Sequence, residues 1–141
     1  MEQKFRYLDH TSDAKFQAFG RTMEEAFANA ALATASLMWD VETIARRVRH
    51  PLSIQGKDLE QLLLHFLEEI IYLFDTKTFL LASTEEVKIE KNTNSYRLEA
   101  VFLGDDNRNK YNIYGEVKAI TYSEMKIEKN DRITLQVVVD I

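Results

Sequence analysis

The sequence predicts an α+β fold, with two helices packed on a largely antiparallel β-sheet in the order strand, helix, strand, helix, then a run of antiparallel strands. Three observations predict it. Two stretches carry apolar residues at helical spacing, each opened by a capping signal. Everything after the second of them alternates apolar and polar residues between polar turns. No Gly/Ser linker, composition shift, repeat or low-complexity tract interrupts the 141 residues, so one domain spanning 1–141 is expected.

Phe5 to Gly20 alternates as a strand, with Phe16 and Ala18 on one side and Asp13, Lys15 and Gln17 on the other. Gly20 ends it. Thr22-Met23-Glu24-Glu25 has capping-box spacing, and Met23, Phe27, Ala30, Ala31, Leu37 and Met38 follow on one helical face, which predicts a helix over Thr22 to Trp39. Val48, Leu52 and Ile54 alternate as a strand. Pro51 lacks a ladder donor, so that strand belongs at an edge or carries a bulge. Asp58 and Gln61 repeat the capping spacing, and Leu59, Leu62, Leu63, Phe66, Leu67, Ile70, Ile71 and Phe74 form a wide apolar stripe. That second helix is the most strongly patterned element.

The remainder reads as strand and turn. Phe79–Ala82 is short, and Val87–Lys91 and Tyr96–Leu103 flank Asn92-Thr93-Asn94-Ser95 as a hairpin. Gly104 to Asn109 is a polar loop with no apolar anchor. Val117–Glu128 and Arg132–Asp140 flank Lys129-Asn130-Asp131 as a second hairpin. In the first of these strands the apolar parity slips between Ile120/Tyr122 and Met125/Ile127, which predicts a β-bulge near Ser123–Glu124.

Composition narrows the function. A hydrophobic content of 45% with 29% charged residues is ordinary for a soluble globular protein. No apolar run approaches the roughly 20 residues needed to span a bilayer. No basic start with an apolar h-region appears, so a cytoplasmic location is the expectation and no membrane partner is expected. The absence of cysteine excludes disulfides, thiolate zinc sites and cysteine nucleophiles. A net charge of −5 argues against strong direct nucleic-acid binding. Arg46, Arg47, Arg49 and His50 form the one basic cluster, read as the solvated entry of a strand or as a local RNA or protein contact. There is no P-loop, GxGxxG or GxSxG, and Ser12, His10 and Asp13 are too local in sequence for a hydrolytic triad.

Acid at the two ends of the chain stands out. Asp9-His10-Thr11-Ser12-Asp13 runs into the first strand, and Val137-Val138-Val139-Asp140-Ile141 closes the sequence, so a carboxylate lies one residue from the α-carboxylate of Ile141. Such a pair repels unless water or a cation takes up the charge. One reading makes Asp9 and Asp13 turn residues that satisfy backbone N–H groups and leaves the last two residues frayed. The other brings Asp13, Asp140 and the Ile141 carboxylate together as three anionic oxygen ligands, with Asp9 nearby. An all-oxygen set suits a divalent ion, Ca²⁺ first and Mg²⁺ or Mn²⁺ next, over zinc. His10 has no second His or Cys at ligand spacing. Of metal ligation, base catalysis and a hydrogen bond to a neighbouring carboxylate that holds this turn, the last is its best-supported role.

Several separated motifs resemble the archease family, whose members accompany the RtcB-type RNA ligase. They are Leu8-Asp9-His10-Thr11-Ser12-Asp13, Gly20-Arg21-Thr22-Met23-Glu24-Glu25-Ala26-Phe27, Asp58-Leu59-Glu60-Gln61-Leu62-Leu63 with Tyr72-Leu73-Phe74-Asp75, Val117-Lys118-Ala119-Ile120-Thr121-Tyr122, and the closing Val137-Val138-Val139-Asp140-Ile141. The resemblance runs essentially the full length. It implies a protein without catalysis of its own, which helps the ligase load guanylate, allows repeated turnover and broadens the nucleotide accepted. An alternative role attached to the family is a chaperone-like modulator of RNA-modifying enzymes such as a tRNA methyltransferase. The family's metal-binding residues carry over to Asp13, Asp140 and Ile141, and Asp9 and His10 lie in the same motif as supporting or partner-contacting residues. Lys118 matches a family lysine that reaches toward the ligase or its nucleotide. Ser12 stands where alanine is usual, and Ser123 follows Tyr122 where the family often has histidine.

Overall fold

Each helix begins three residues after a glycine that ends a strand. The computed structural model describes residues 3–10 and 12–141. Helix α1 is Met23–Ser36, and its N-cap Thr22 accepts the Glu25 backbone N–H at 3.1 Å while Glu25 accepts the Arg21 N–H at 3.2 Å. Helix α2 is Leu59–Lys77, and Asp58 and Gln61 make the same reciprocal pair, at 2.8 Å to the Gln61 and Lys57 N–H groups. Both capping boxes therefore satisfy donors that the first turn leaves orphaned. A Cβ at Gly20 would stand 2.4 Å from the Ala26 nitrogen, and one at Gly56 2.5 Å from that of Leu62. Only glycine lets the strand end press against the first turn of the helix.

The strands are β1 (Phe5–Leu8), β2 (Ala14–Gly20), β3 (Val48–Gly56), β4 (Leu80–Lys91), β5 (Tyr96–Asp105), β6 (Ala119–Lys129) and β7 (Ile133–Asp140). The α+β class, the two helices and the antiparallel pairing are as expected. The strands divide, however, between two sheets, ordered β1-β2-β7-β6 and β3-β5-β4, and both helices touch strands of each. Periodicity reports which side of a strand is buried and is silent on its neighbours, so it gave a single sheet.

Three elements depart from expectation in detail. The expected strand from Phe5 to Gly20 is two antiparallel strands, because the backbone reverses around Ser12, whose φ of 72° lies in the left-handed region. Thr11 of the acidic motif lies outside the described residues. The segments at 79–82 and 87–91 join into β4 across two register shifts, with Glu86 at φ 54°. Helix α1 ends at Ser36 rather than Trp39, and the buried Trp39 indole donates to the Leu81 carbonyl at 2.9 Å. Pro51 does lie on an edge strand, since β3 pairs with β5 alone. The bulge expected near Ser123–Glu124 is present: between Thr121↔Val138 and Lys126↔Gln136, residues 122–125 of β6 oppose Val137 alone.

The core lies where the helices meet both sheets. Phe66 of α2 packs its ring 5.8 Å from Phe27 of α1 and 5.5 Å from Phe102 of β5, and all three are fully buried. No helix is long and apolar enough among the described residues to cross a membrane. Because Phe66 joins both helices to the second sheet, Phe66→Ala is expected to cost about 3–5 kcal/mol in chemical denaturation.

Candidate functional site

Pairing of β2 with β7 decides where the acidic ends lie. The register runs from Gly20↔Ile133 to Ala14↔Val139, so the next residues out are Asp13 and Asp140. Residues directly opposite in an antiparallel pair have Cβ atoms about 4.5–5.5 Å apart, and like charges there repel. The strands are held in this register by apolar residues on the core side: Phe16, Ala18, Leu135, Val137 and Val139 are fully buried. On the other neighbour of β7, Ala119 pairs with Asp140, and the Lys118 backbone N–H donates to the Asp140 carbonyl at 2.7 Å. The structure thus brings Asp13, Asp140, Ile141 and Lys118 to one end of one sheet. Asp140, Ile141, Lys118 and Asp9 are exposed and Asp13 is half-buried.

The β6 bulge completes this tip. The Glu124 carbonyl accepts from the Gln136 side chain at 2.8 Å, and Ser123 N–H donates to the Thr121 hydroxyl, which itself donates to the Val138 carbonyl. Residues 122–125 therefore lie as a strap over the outer face of the sheet, where Gln136 and Val138 are buried. The strap carries Glu124 to two partners, with Oε1 3.0 Å from Lys15 Nζ and Oε2 2.9 Å from His10 Nε2. An ionised carboxylate only accepts, so His10 donates from Nε2. Its Nδ1 is sealed from solvent without a hydrogen-bond partner, 3.9 Å from an Asp13 oxygen. The His10 hydrogen bond first, then the Lys15 hydrogen bond and charge, hold the Glu124 carboxyl below the usual glutamate range.

His10 takes the expected role, holding a carboxylate, but the carboxylate belongs to Glu124, 114 positions away. Sequence reasoning missed Glu124 and the participation of Lys15. The parity slip marked the bulge, while nothing in the pattern says that a bulge folds over the sheet. Among the described residues no group of three or more His, Asp or Glu side chains stands in a metal-holding arrangement.

The basic cluster is differently engaged. Arg47 pairs with the buried Asp105 at 2.6 Å and Arg49 with Glu86 at 2.6 Å. Asp105 also accepts from the Tyr111 hydroxyl at 2.6 Å and from the Asp106 N–H at 2.8 Å. Tyr111 above all holds that carboxyl below its ordinary range. The first two residues of the loop expected over Gly104 to Asn109 belong to β5, and the Asp105 carboxylate there holds the residues that follow through the Asp106 N–H and the Tyr111 hydroxyl.

A small α+β domain of two antiparallel sheets and two helices, with acidic residues at one end of the central strand pair of the four-stranded sheet, is the class in hand. Residues 5–141 match the model of the Archease protein family (MTH1598/TM1083). The chain is similar to the protein archease of Methanosarcina barkeri, 37% identical over 145 residues that cover 99% of this chain and 97% of that one. It is likewise 37% identical to that of Pyrococcus furiosus, over 99% of both chains. The solution structure of protein 1598 from Methanobacterium thermoautotrophicum superposes with a TM-score of 0.83 at 29% identity, covering 98% of this chain and 99% of that one. A crystal structure from Thermotoga maritima, described as an archease and possible chaperone, shares the fold with a TM-score of 0.60 at 17% identity, over 95% and 94% of the two chains. The chain belongs to the archease family.

The His10–Glu124–Lys15 cluster makes stability pH-dependent with a defined sign. Glu124 has a depressed folded value, so its contribution is present above the unfolded value of about 4.3 and is lost as pH falls through the folded one. Glu124→Ala should melt below the parent protein at pH 7 in calorimetric scans. The gap should narrow as the buffer is acidified below the ordinary glutamate range.

Proposed function

We propose that this archease is a non-catalytic activator of an RtcB-type tRNA-splicing RNA ligase, promoting ligase guanylylation and multiple turnover through a metal-binding acidic tip. The observation that supports the reading is the β2–β7 register, whose last pair, Ala14↔Val139, leaves Asp13 and Asp140 as the next residues of the two segments at that end. Asp13, Asp140 and the carboxylate of Ile141 would hold the ion, with Ca²⁺ the best match to an all-oxygen set and Mg²⁺ or Mn²⁺ the alternatives. Such an ion supplies positive charge for phosphate oxygens. The residues themselves do the rest: the Lys118 N–H and β6 fix the last strand, and His10 and Glu124 hold the acidic turn against the strap. A protein of net charge −5 is poorly suited to gripping RNA but suited to entering a basic, nucleotide-holding cleft.

The second reading, a chaperone-like modulator of tRNA-modifying enzymes, draws on the description of the Thermotoga maritima protein as a possible chaperone. It calls for broad exposed apolar surface. The exposed large hydrophobic side chains among the described residues are four tyrosines and Ile141, which favours the first reading.

Asp13→Ala and Asp140→Ala are each expected to remain folded, to lose divalent-ion binding by calorimetry, and to abolish stimulation of ligase guanylylation. Full stimulation by a folded Asp140→Ala protein overturns the reading. Removal of the last two residues separates the alternatives: the activator loses its effect on the ligase, a chaperone-like protein keeps its effect on client enzymes, and a free-standing metal-dependent hydrolase shows turnover without any partner.

A further inference from the structure

The far end of the β2–β7 pair carries the opposite charge. There Gly20 pairs with Ile133, about 20 Å of strand from Ala14↔Val139. A cleft of about 660 Å³ opens at this end, a volume typical of small-ligand sites. Lys4, Arg21 and Arg132 bring three cations to its lining, against the two carboxylates of Glu25 and Asp131. In a chain of net charge −5 this cleft is locally positive. Glu25 is already engaged, accepting the Arg21 N–H at 3.2 Å in the capping box of α1.

Two features distinguish this cleft from scattered surface charge. The first is Arg132, whose guanidinium carbon lies 3.8 Å from the centre of the Phe19 ring. Phe19 is only 3% exposed, and its N–H donates to the Lys4 carbonyl at 2.9 Å, which sets Lys4 beside the same ring. Neither Arg132 nor Lys4 forms an ion pair with any other described residue. Stacking on the ring holds the guanidinium plane while leaving its edge N–H groups open, so little further ordering is needed when an acceptor arrives. The second feature is Asn29, which lines the cleft although only 8% of the residue is exposed. Its Nδ2 donates to the Phe19 carbonyl at 2.7 Å. A carbonyl only accepts, so that bond fixes the amide orientation. The Asn29 Oδ1 is left without a donor among the described residues. A buried acceptor of this kind costs stability until a donor meets it.

We infer that this cleft binds a small sugar phosphate, with the phosphoryl group held by Lys4 and Arg132 and a sugar hydroxyl donated to Asn29 Oδ1. The lining selects both halves of such a ligand. Lysine and arginine only donate, and the arginine fork matches phosphate oxygens. Asn29 Oδ1 and the carboxylates of Glu25 and Asp131 only accept, so the remainder of the ligand must supply hydroxyl donors. A bare anion such as sulfate has none to offer and meets the repulsion of both carboxylates. An apolar ligand finds no surface, because the one aromatic ring is already covered by Arg132. The site stands apart from the activator reading: it lies at the opposite end of the sheet from Asp13 and Asp140, and its test requires no ligase.

Titration calorimetry and amide NMR on the isolated chain test this with ribose 5-phosphate, sulfate and ribose as probes, each variant being checked for folding by circular dichroism. The parent should bind ribose 5-phosphate with a Kd of about 1 mM or tighter, and sulfate and ribose at least tenfold more weakly. Amide shifts should centre on residues 20–21 and 131–132 and on the Asn29 side chain. Arg132→Gln should weaken ribose 5-phosphate binding at least tenfold, whereas Arg97→Gln, on β5 of the other sheet, should match the parent. Asn29→Ala should bring the affinities for ribose 5-phosphate and sulfate together. If that variant does not fold, the ranking of the three probes by the parent and the loss in Arg132→Gln still decide the matter. Equal binding of sulfate and ribose 5-phosphate by the parent overturns the sugar phosphate. Absence of binding at about 10 mM, parent-like affinity in Arg132→Gln, or shifts centred on residues 46–50 overturns the site.

Discussion

The pairing of β2 with β7 is the constraint on which the rest of this molecule depends. It joins residues 14–20 to residues 133–139 across nearly the whole chain, and no local preference could bring those segments together. What fixes it is the core side of the two strands, where Phe16, Ala18, Leu135, Val137 and Val139 are sealed beneath the helices. A slip of one residue would turn that entire set toward solvent. The same register that satisfies the core leaves Asp13 and Asp140 as the next residues beyond its last pair, Ala14↔Val139. Hydrophobic burial a few residues away thus sets the end of the sheet to which both carboxylates are carried.

Around that pair the structure adds restraints of a different kind. The strap of β6 has Glu124 at a φ of 53°, a conformation that costs a non-glycine residue some free energy. In return Glu124 reaches His10 and Lys15, and the Gln136 amide is satisfied by its carbonyl. Neither β1 nor the turn after it is long enough to define its own geometry, and the strap supplies what they lack. Lys118 and Ala119 then tie Asp140 to β6 from the other side. The end of the sheet is thus a framework of four strands converging on one exposed acidic edge.

Much of this architecture was legible in the sequence. Both capping boxes, both apolar helical faces and the bulge at 123–124 come from local chemistry with a fixed period, and each is present in the structure. Parity also put Asp13 and Asp140 on the less apolar side of their strands. The division of seven strands into two sheets was not legible, because alternation carries no record of partners. The reversal at Ser12 was legible only in part: Asp9 and Asp13 read as turn residues, while the alternation from Phe5 to Gly20 ran on across them as one strand. Glu124 was hidden for a similar reason: its meaning comes from His10, 114 residues away, and from the curl of a strap that sequence marks only as a break in phase. Asp105 shows the same limit, a buried anion in a stretch that reads as solvated loop until Tyr111 and Arg47 are seen beside it.

The central claim, that the ends of β2 and β7 share one divalent ion, is tested most directly by titrating Mn²⁺ into isotopically labelled protein and following paramagnetic broadening of the backbone amides. The account predicts broadening that begins together at Asp13, Asp140 and Ile141, spreads next to Lys118 and His10, and is competed away by Ca²⁺. Broadening centred on Asp105 or the exposed glutamates of α2, or none at stoichiometric Mn²⁺, would contradict it.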